Sequence, residues 1–277
     1  MLTERTARGT EIEPATWIWS HWLKEQHRPN LTYQWFTHYE FVEDEMQREE
    51  VKDALAKLLY EYHTSSPVNT NLLTQLKYRQ LAAVLANDND QRPVNSTTRS
   101  GNLVEILACE FAKKQGYDIP VLRLQYNPNP DQSMKGDDIL GFRFSADGIE
   151  LDALLAGEGK FRGSFSKRVV EEAYADLTRK IYSSPVSMEF VATILTLEGD
   201  QYFAAKIRQL RQRLASQDKH VFQEYLLFLG TVGQPQNPFD YLEDYSDTLL
   251  PNLVAVNVIF QNDFQNWISE VYQEVML

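Results

Sequence analysis

The feature that most constrains this chain is the stretch from Gly136 to Lys160. It opens Gly136-Asp137-Asp138-Ile139-Leu140-Gly141-Phe142, turns through Ala146-Asp147-Gly148 and closes Gly157-Glu158-Gly159-Lys160-Phe161. An apolar run entered through acids, a turn and a second strand-like run predict a β-hairpin joining Asp138–Phe144 to Ile149–Phe161. Side chains alternate across a strand, so Glu158 and Lys160, two apart, share a face. Pairing the strands brings Asp138, Glu158 and Lys160 into one small volume. Carboxylates at that density suit a hard divalent cation, and a lysine beside them suits a phosphate or an attacking water.

An acid at a strand start, followed by acid-x-lysine on the next strand, resembles the PD-(D/E)xK superfamily of metal-dependent nucleases. Glu50-Val51-Lys52 also fits the triplet. That copy stands among Glu43, Asp44, Glu45, Glu49 and Asp53 in a helical pattern with no strand before it, and reads as a solvated helix face.

A chain of 277 residues can bury a sizeable core unaided, as one large domain or as a core with an added lobe. Its 43% hydrophobic and 24% charged content fits a globular protein. Cys109 is the single cysteine, which excludes an intramolecular disulfide. No apolar run approaches the ~18 residues of a membrane span, and Met1 to Glu13 holds no apolar signal core. The expectation is a reducing, cytoplasmic setting without a membrane. The net charge of -12 opposes a grip on nucleic acid, which is carried by Lys and Arg. Positive charge must then be concentrated locally, or a partner must hold the nucleic acid.

Residues 1–97 read as mostly helical, with Trp17, Trp22, Trp35, Ile18, Leu23 and Phe36 supplying core. Helical spacing of Val51, Leu55, Leu58 and Tyr62 predicts a helix over Glu40–Tyr62, acidic in its first half. Another is expected over Asn71–Leu85. The polar stretch Asn87–Gly101, with Pro93, marks a loop and a boundary. In the helix predicted over Asn102–Lys114, Glu110 has Lys113 and Lys114 for surface pairing. Glu105 stands on an apolar surface and needs compensation, from a metal, a lysine beside a metal, or backbone. A strand is expected over Ile119–Gln125 and, after the hairpin, a helix capped by Ser166 whose first turn carries Lys167 and Arg168. Residues 184–229 read as helical, with a basic section of Lys206, Arg208, Arg211, Arg213 and Lys219. A loop follows over 231–252, then a buried strand at Leu253–Phe260 and a closing helix at Phe264–Val275.

Ser100-Gly101-Asn102-Leu103-Val104-Glu105, Gly136-Asp137-Asp138-Ile139-Leu140-Gly141-Phe142 and Gly157-Glu158-Gly159-Lys160-Phe161 together resemble the HamA family, also met as AbpA, the nuclease effector of Hachiman-type antiphage defence. The expected fold class is α/β (α+β): a PD-(D/E)xK, restriction-endonuclease-like core sheet flanked by helices over residues 98–277, with a helical N-terminal lobe over 1–97. By position, the resemblance makes Glu105 the helix glutamate, Asp138 the strand acid, Glu158 the second acid and Lys160 the lysine. It implies magnesium, with manganese as the alternative, held by Asp138, Glu158 and Glu105. It also implies a DEAD/DEAH-like helicase partner, HamB, that engages DNA and restrains the nuclease until infection or damage is sensed. Gly136 and Asp137 stand where the family pattern has a proline, and the doubled aspartate keeps Asp137 as a second candidate for the ligand.

On this reading Lys160 orients the attacking water or the scissile phosphate. Arg162, Lys167 and Arg168, with Arg143, position the DNA backbone without reading bases. His21, His27, His38, His63 and His220 are scattered and form no rival site. Two other classes remain open at this point. One is a non-catalytic, partner-binding subunit whose triplet is an ion pair, with the acidic helix of residues 40–53 as a docking face. The other is a carboxylate-pair hydrolase acting on sugars, which has no place for Lys160.

Overall fold

The computed structural model describes residues 18–28, 31–64, 92–127, 129–132, 137–180 and 184–274. The helix expected over Asn71–Leu85 lies outside them, as does Trp17. Among the described residues, β1 (Leu23–Glu25), β2 (Thr37–Glu43), β3 (Ile139–Phe144), β4 (Leu151–Arg162), β5 (Phe222–Val232) and β6 (Leu253–Phe260) form one mixed sheet in the order β1-β2-β6-β5-β4-β3. The four inner strands run parallel, and β1 and β3 are antiparallel edges. Flanking helices are α1 (Arg48–His63), α2 (Ser96–Lys114), α3 (Lys167–Lys180), α4 (Ser184–Glu198), α5 (Gln201–Ala215), the short α6 (Asp240–Glu243) and α7 (Phe264–Glu274). The class is α+β.

Both faces of the sheet are covered. Leu103, Val104 and Leu107 of α2 meet Leu155, Phe228 and Val256 on one face, beneath α1 and α7. On the other, Ala173 and Leu177 of α3 pack on Ala156, Leu227 and Ala255. The α4–α5 pair covers Leu140, Phe142 and Leu154 beside it. Strands covered on both faces become continuous apolar runs. This explains why β5 lies inside the stretch expected to be helical to residue 229: Tyr225-Leu226-Leu227-Phe228-Leu229 has no period-two signature, and a buried strand of this kind cannot be told from a buried helix by periodicity.

The N-terminal expectation is corrected in the same way. Thr37-His38-Tyr39-Glu40-Phe41-Val42-Glu43 is β2, paired in parallel with β6, and the helix begins only at Arg48. Aromatic and β-branched residues favour the strand. Its acids concealed it, because Glu40 and Glu43 are buried rather than solvated. Arg28 stands 2.6 Å from Glu40, and Arg48 donates to both Glu43 oxygens at 2.7 and 3.1 Å. The acidic face expected over residues 40–53 is therefore partly internal. Trp22, Ile18, Leu23 and Phe36 are core, whereas Trp35 is exposed. The strand expected over Ile119–Gln125 is reduced to one bridge, Asp118 to Phe142, and a 3-10 turn at Arg123–Tyr126. Pro120, with no N–H to give a ladder, interrupts it.

Helix α2 starts earlier than expected. The Asn95 side chain caps it by accepting from Thr97 N at 2.8 Å and Thr98 N at 3.4 Å, and Gly116 ends it at φ 84°. It is apolar almost all round because it lies between the sheet and other helices, which is also why Glu110 is buried. Glu110 does pair with Lys113 at 2.7 Å, as expected, but it also accepts from the Tyr62 hydroxyl at 2.6 Å. The close fit of α2 on β5 depends on Gly230. A β-carbon there would lie 2.5 Å from Val104 Cγ2 and 2.9 Å from Phe260 Cε2. Gly230→Ala should cost about 2–3 kcal/mol by overpacking, read as a lower urea midpoint with an unchanged slope. A cost below about 0.5 kcal/mol would mean that α2 does not pack this tightly.

Candidate active site

The hairpin of β3 and β4 is present, turning through Gly148 at φ 70°. Its register pairs Ile139 with Gly157, so one further step sets Asp138, just before β3, across from Glu158. The Asp138 carboxylate reaches back to the partner strand, where Oδ2 accepts from Gly159 N at 3.3 Å. β4 is paired along both edges, with β3 and with β5. A side chain in its middle therefore sees only the layers above and below.

Side-chain contacts then divide the four expected site residues. Ala156, Glu158 and Lys160 share the face beneath α3. Glu158 is 2% exposed, and Lys160 Nζ stands 2.6 Å from its Oε1 and 2.9 Å from Oδ2 of Asp176, on α3. Burial works against the lysine's charge, but Glu158 and then Asp176 outweigh it, and its pKa lies above the ordinary lysine value. Lys160 is thus a fixed ammonium at neutral pH.

Gly157 and Gly159 face α2. A β-carbon on Gly159 would lie 3.5 Å from Glu105 Cα, so the helix backbone passes close over the strand and sets Glu105 beside its end. Arg123 supplies compensation for Glu105. The guanidinium donates from Nε to Glu105 Oε1 at 3.2 Å and from Nη2 to Glu105 Oε2 and Asp138 Oδ1, both at 2.9 Å. Burial opposes this charge as well, yet Glu105 and Asp138 more than offset it, and the pKa rises. Two acid–base clusters result: Glu105, Arg123 and Asp138 on the α2 side, and Glu158, Lys160 and Asp176 on the α3 side. They touch through the bond from Asp138 to Gly159.

Arg123 and Asp176 were not found from the sequence. An arginine flanked by Leu122 and Leu124 in an apolar run is the available signal for a buried cation. Asp176 has none, because its role depends on where α3 lands. Asp137, the second candidate acid, is buried and lines a cavity of about 420 Å³ together with Glu105, Arg123 and Asp138. The cavity is otherwise largely apolar, with Ile119, Leu140 and Phe190 in its wall. Cys109 also lines it, and burial, reinforced by Glu105, pushes its thiol far above the reactive range.

The expected phosphate contacts lie at the far end of β4. Arg162 and Arg168 converge on Glu172, at 3.5 and 2.7 Å, and Lys167 is exposed in the first turn of α3. Arg143 instead stacks over Tyr117 and Phe222. Of the basic section, Lys206 pairs with Glu150, Arg208 and Arg211 with Glu189, and Arg213 with Asp218. Those four pairings are what a solvated structural face requires. Glu50-Val51-Lys52 lies in α1, as its helical pattern requires.

Asp138 and Glu158 offer hard carboxylate oxygens of the kind that suit magnesium or manganese. Among the described residues, no three His, Cys, Asp or Glu side chains converge closely enough to share a metal ion as they stand. The chemistry of the donors fits a divalent cation, and one of them is currently occupied by a guanidinium.

The HamA family model matches residues 16–272, a span that contains every strand of the sheet and both clusters. The chain is also 31% identical over 208 residues to the Hachiman protein HamA of Bacillus cereus, covering 74% of this chain and 72% of that protein. The chain belongs to the HamA family. The match begins ahead of β1 and ends within α7. Among the described residues, no helix is long and apolar enough to cross a membrane.

In this HamA chain, Lys160 is a counter-charge of the buried Glu158 carboxylate. Lys160→Met should destabilise the fold by about 3 kcal/mol at pH 7, and Glu158→Gln in addition should restore most of that loss, since a broken buried pair costs more than an absent one. Urea unfolding of the double-mutant cycle measures the coupling. Coupling below about 0.5 kcal/mol would show that the pair is not formed in solution.

Proposed function

We propose that this chain is a metal-dependent DNA nuclease acting in Hachiman-type antiphage defence under the control of a helicase partner of the HamB kind. The observation that carries the reading is the arrangement on the hairpin: Asp138 set across from Glu158, with Lys160 held charged on the same strand face as Glu158. Membership of the HamA family and the name of the Bacillus cereus relative support the defence setting.

Asp138 and Glu158 would hold magnesium or manganese, with Glu105 acting through water. When bound, the ion lowers the pKa of a water and offsets charge that builds on the phosphate. Lys160, already an ammonium beside Glu158, orients that water or a phosphate oxygen. The exposed cations Arg162, Lys167 and Arg168 lie where α3 begins, and direct the DNA backbone toward Lys160 without contacting bases. Cleavage should therefore depend little on sequence. With a net charge of -12, the chain gains from a partner that holds the DNA and presents it.

Cleavage of linear and supercoiled double-stranded DNA with magnesium, by the chain alone and with the helicase, tests this reading. Glu158→Gln and Asp138→Asn, which keep shape and remove charge, should each lower the rate by at least about 100-fold. EDTA should abolish it. Full phage defence by a folded Glu158→Gln variant would instead establish a non-catalytic, partner-binding subunit.

A further inference from the structure

Arg123 occupies ground that the nuclease reading assigns to a metal. Its side chain is 14% exposed and comes from a short 3-10 turn outside the sheet, yet it bridges carboxylates from two other elements, Glu105 on α2 and Asp138 at the start of β3. Three donor contacts at 2.9 to 3.2 Å engage both oxygens of Glu105 and one of Asp138. A guanidinium cannot shed its proton at physiological pH, so this charge is permanent. A guanidinium held on Glu105 and Asp138 and a divalent ion drawn to the same carboxylates repel each other, so each weakens the other's hold.

A metal on Asp138 Oδ1 therefore requires Arg123 to give way. Room exists for it to do so, because Arg123 forms part of the wall of the cavity of about 420 Å³ whose other side carries Phe190 and the exposed Val186. A four-residue turn also costs less to displace than a strand or a long helix.

We propose that Arg123 is a resident cation holding the metal's place in the resting protein, so that divalent metal loads only in competition with it. The proposal rests on the nuclease reading above and adds a restraint that lies within this chain itself. The competition is reciprocal: whatever draws the guanidinium away raises metal affinity, and metal raises the fraction of chains in which the arginine is displaced. A phosphodiester is one such acceptor, since it offers the same paired oxygens as the carboxylates.

Titration of manganese into the purified full chain, by calorimetry and without DNA, reads the competition directly. Arg123→Met should bind manganese at least about tenfold more tightly than wild type, a difference of about 1.4 kcal/mol. Manganese should also raise its melting temperature more than that of wild type. Should Arg123→Met fold poorly in EDTA, because Glu105 and Asp138 are left facing each other, Arg123→Met/Glu105→Gln removes one negative charge with the positive one. That variant is expected to bind manganese more tightly than Glu105→Gln alone. Equal affinity in wild type and variant, lost from both on Glu158→Gln, would overturn the competition while leaving the metal site intact. No manganese binding by either would overturn the competition together with the nuclease reading.

Discussion

A carboxylate in the middle of a strand that is paired on both edges and covered on both faces is largely withdrawn from water. Glu158 is in that position on β4, and the fold around it can be read as the means of tolerating its charge. Lys160 follows two residues later because that spacing returns to the same face. Helix α3 brings Asp176 to hold the lysine in turn. Glycines at 157 and 159 let Ile139 and the α2 backbone close over the opposite face. Replacing such a pair by apolar residues would cost the fold little, whereas keeping half of it would cost a great deal.

The same logic extends across the sheet. Glu105 and Asp138 approach from separate elements and are bridged by Arg123, so each cluster holds one cation between two carboxylates. Each cation offsets part of the negative charge that would otherwise attract a free divalent ion. This also means that the site answers to changes in charge arriving from outside, from metal, phosphate or a protein partner.

Much of this was legible in residues close in sequence. The hairpin, its turn at Gly148, the helix that follows it, the strand at Leu253–Phe260 and the closing helix each carry their own pattern of alternation, turn or apolar stripe. The two strands missed, β2 and β5, lack one. β2 owes its place to Arg28 and Arg48, which neutralise Glu40 and Glu43. β5 is buried on both faces and so loses its alternation. For the site, Asp138, Glu158 and Lys160 were visible as a motif, and the need to compensate Glu105 was visible as an imbalance. That Arg123 would help meet the need depended on Pro120 breaking a strand and on the turn after it folding back beside α2. Glu110 was misplaced on the surface for a similar reason, since Tyr62 approaches it from a helix about fifty residues upstream.

The central claim is that the carboxylates of Asp138 and Glu158 form a divalent-metal centre. Anomalous scattering from crystals soaked in excess manganese tests it most directly. A peak about 2.0–2.4 Å from oxygens of both residues, with Lys160 still beside Glu158, is the expected result. A peak that avoids both carboxylates, or none at saturating manganese with the Glu158–Lys160 pair unchanged, would contradict it.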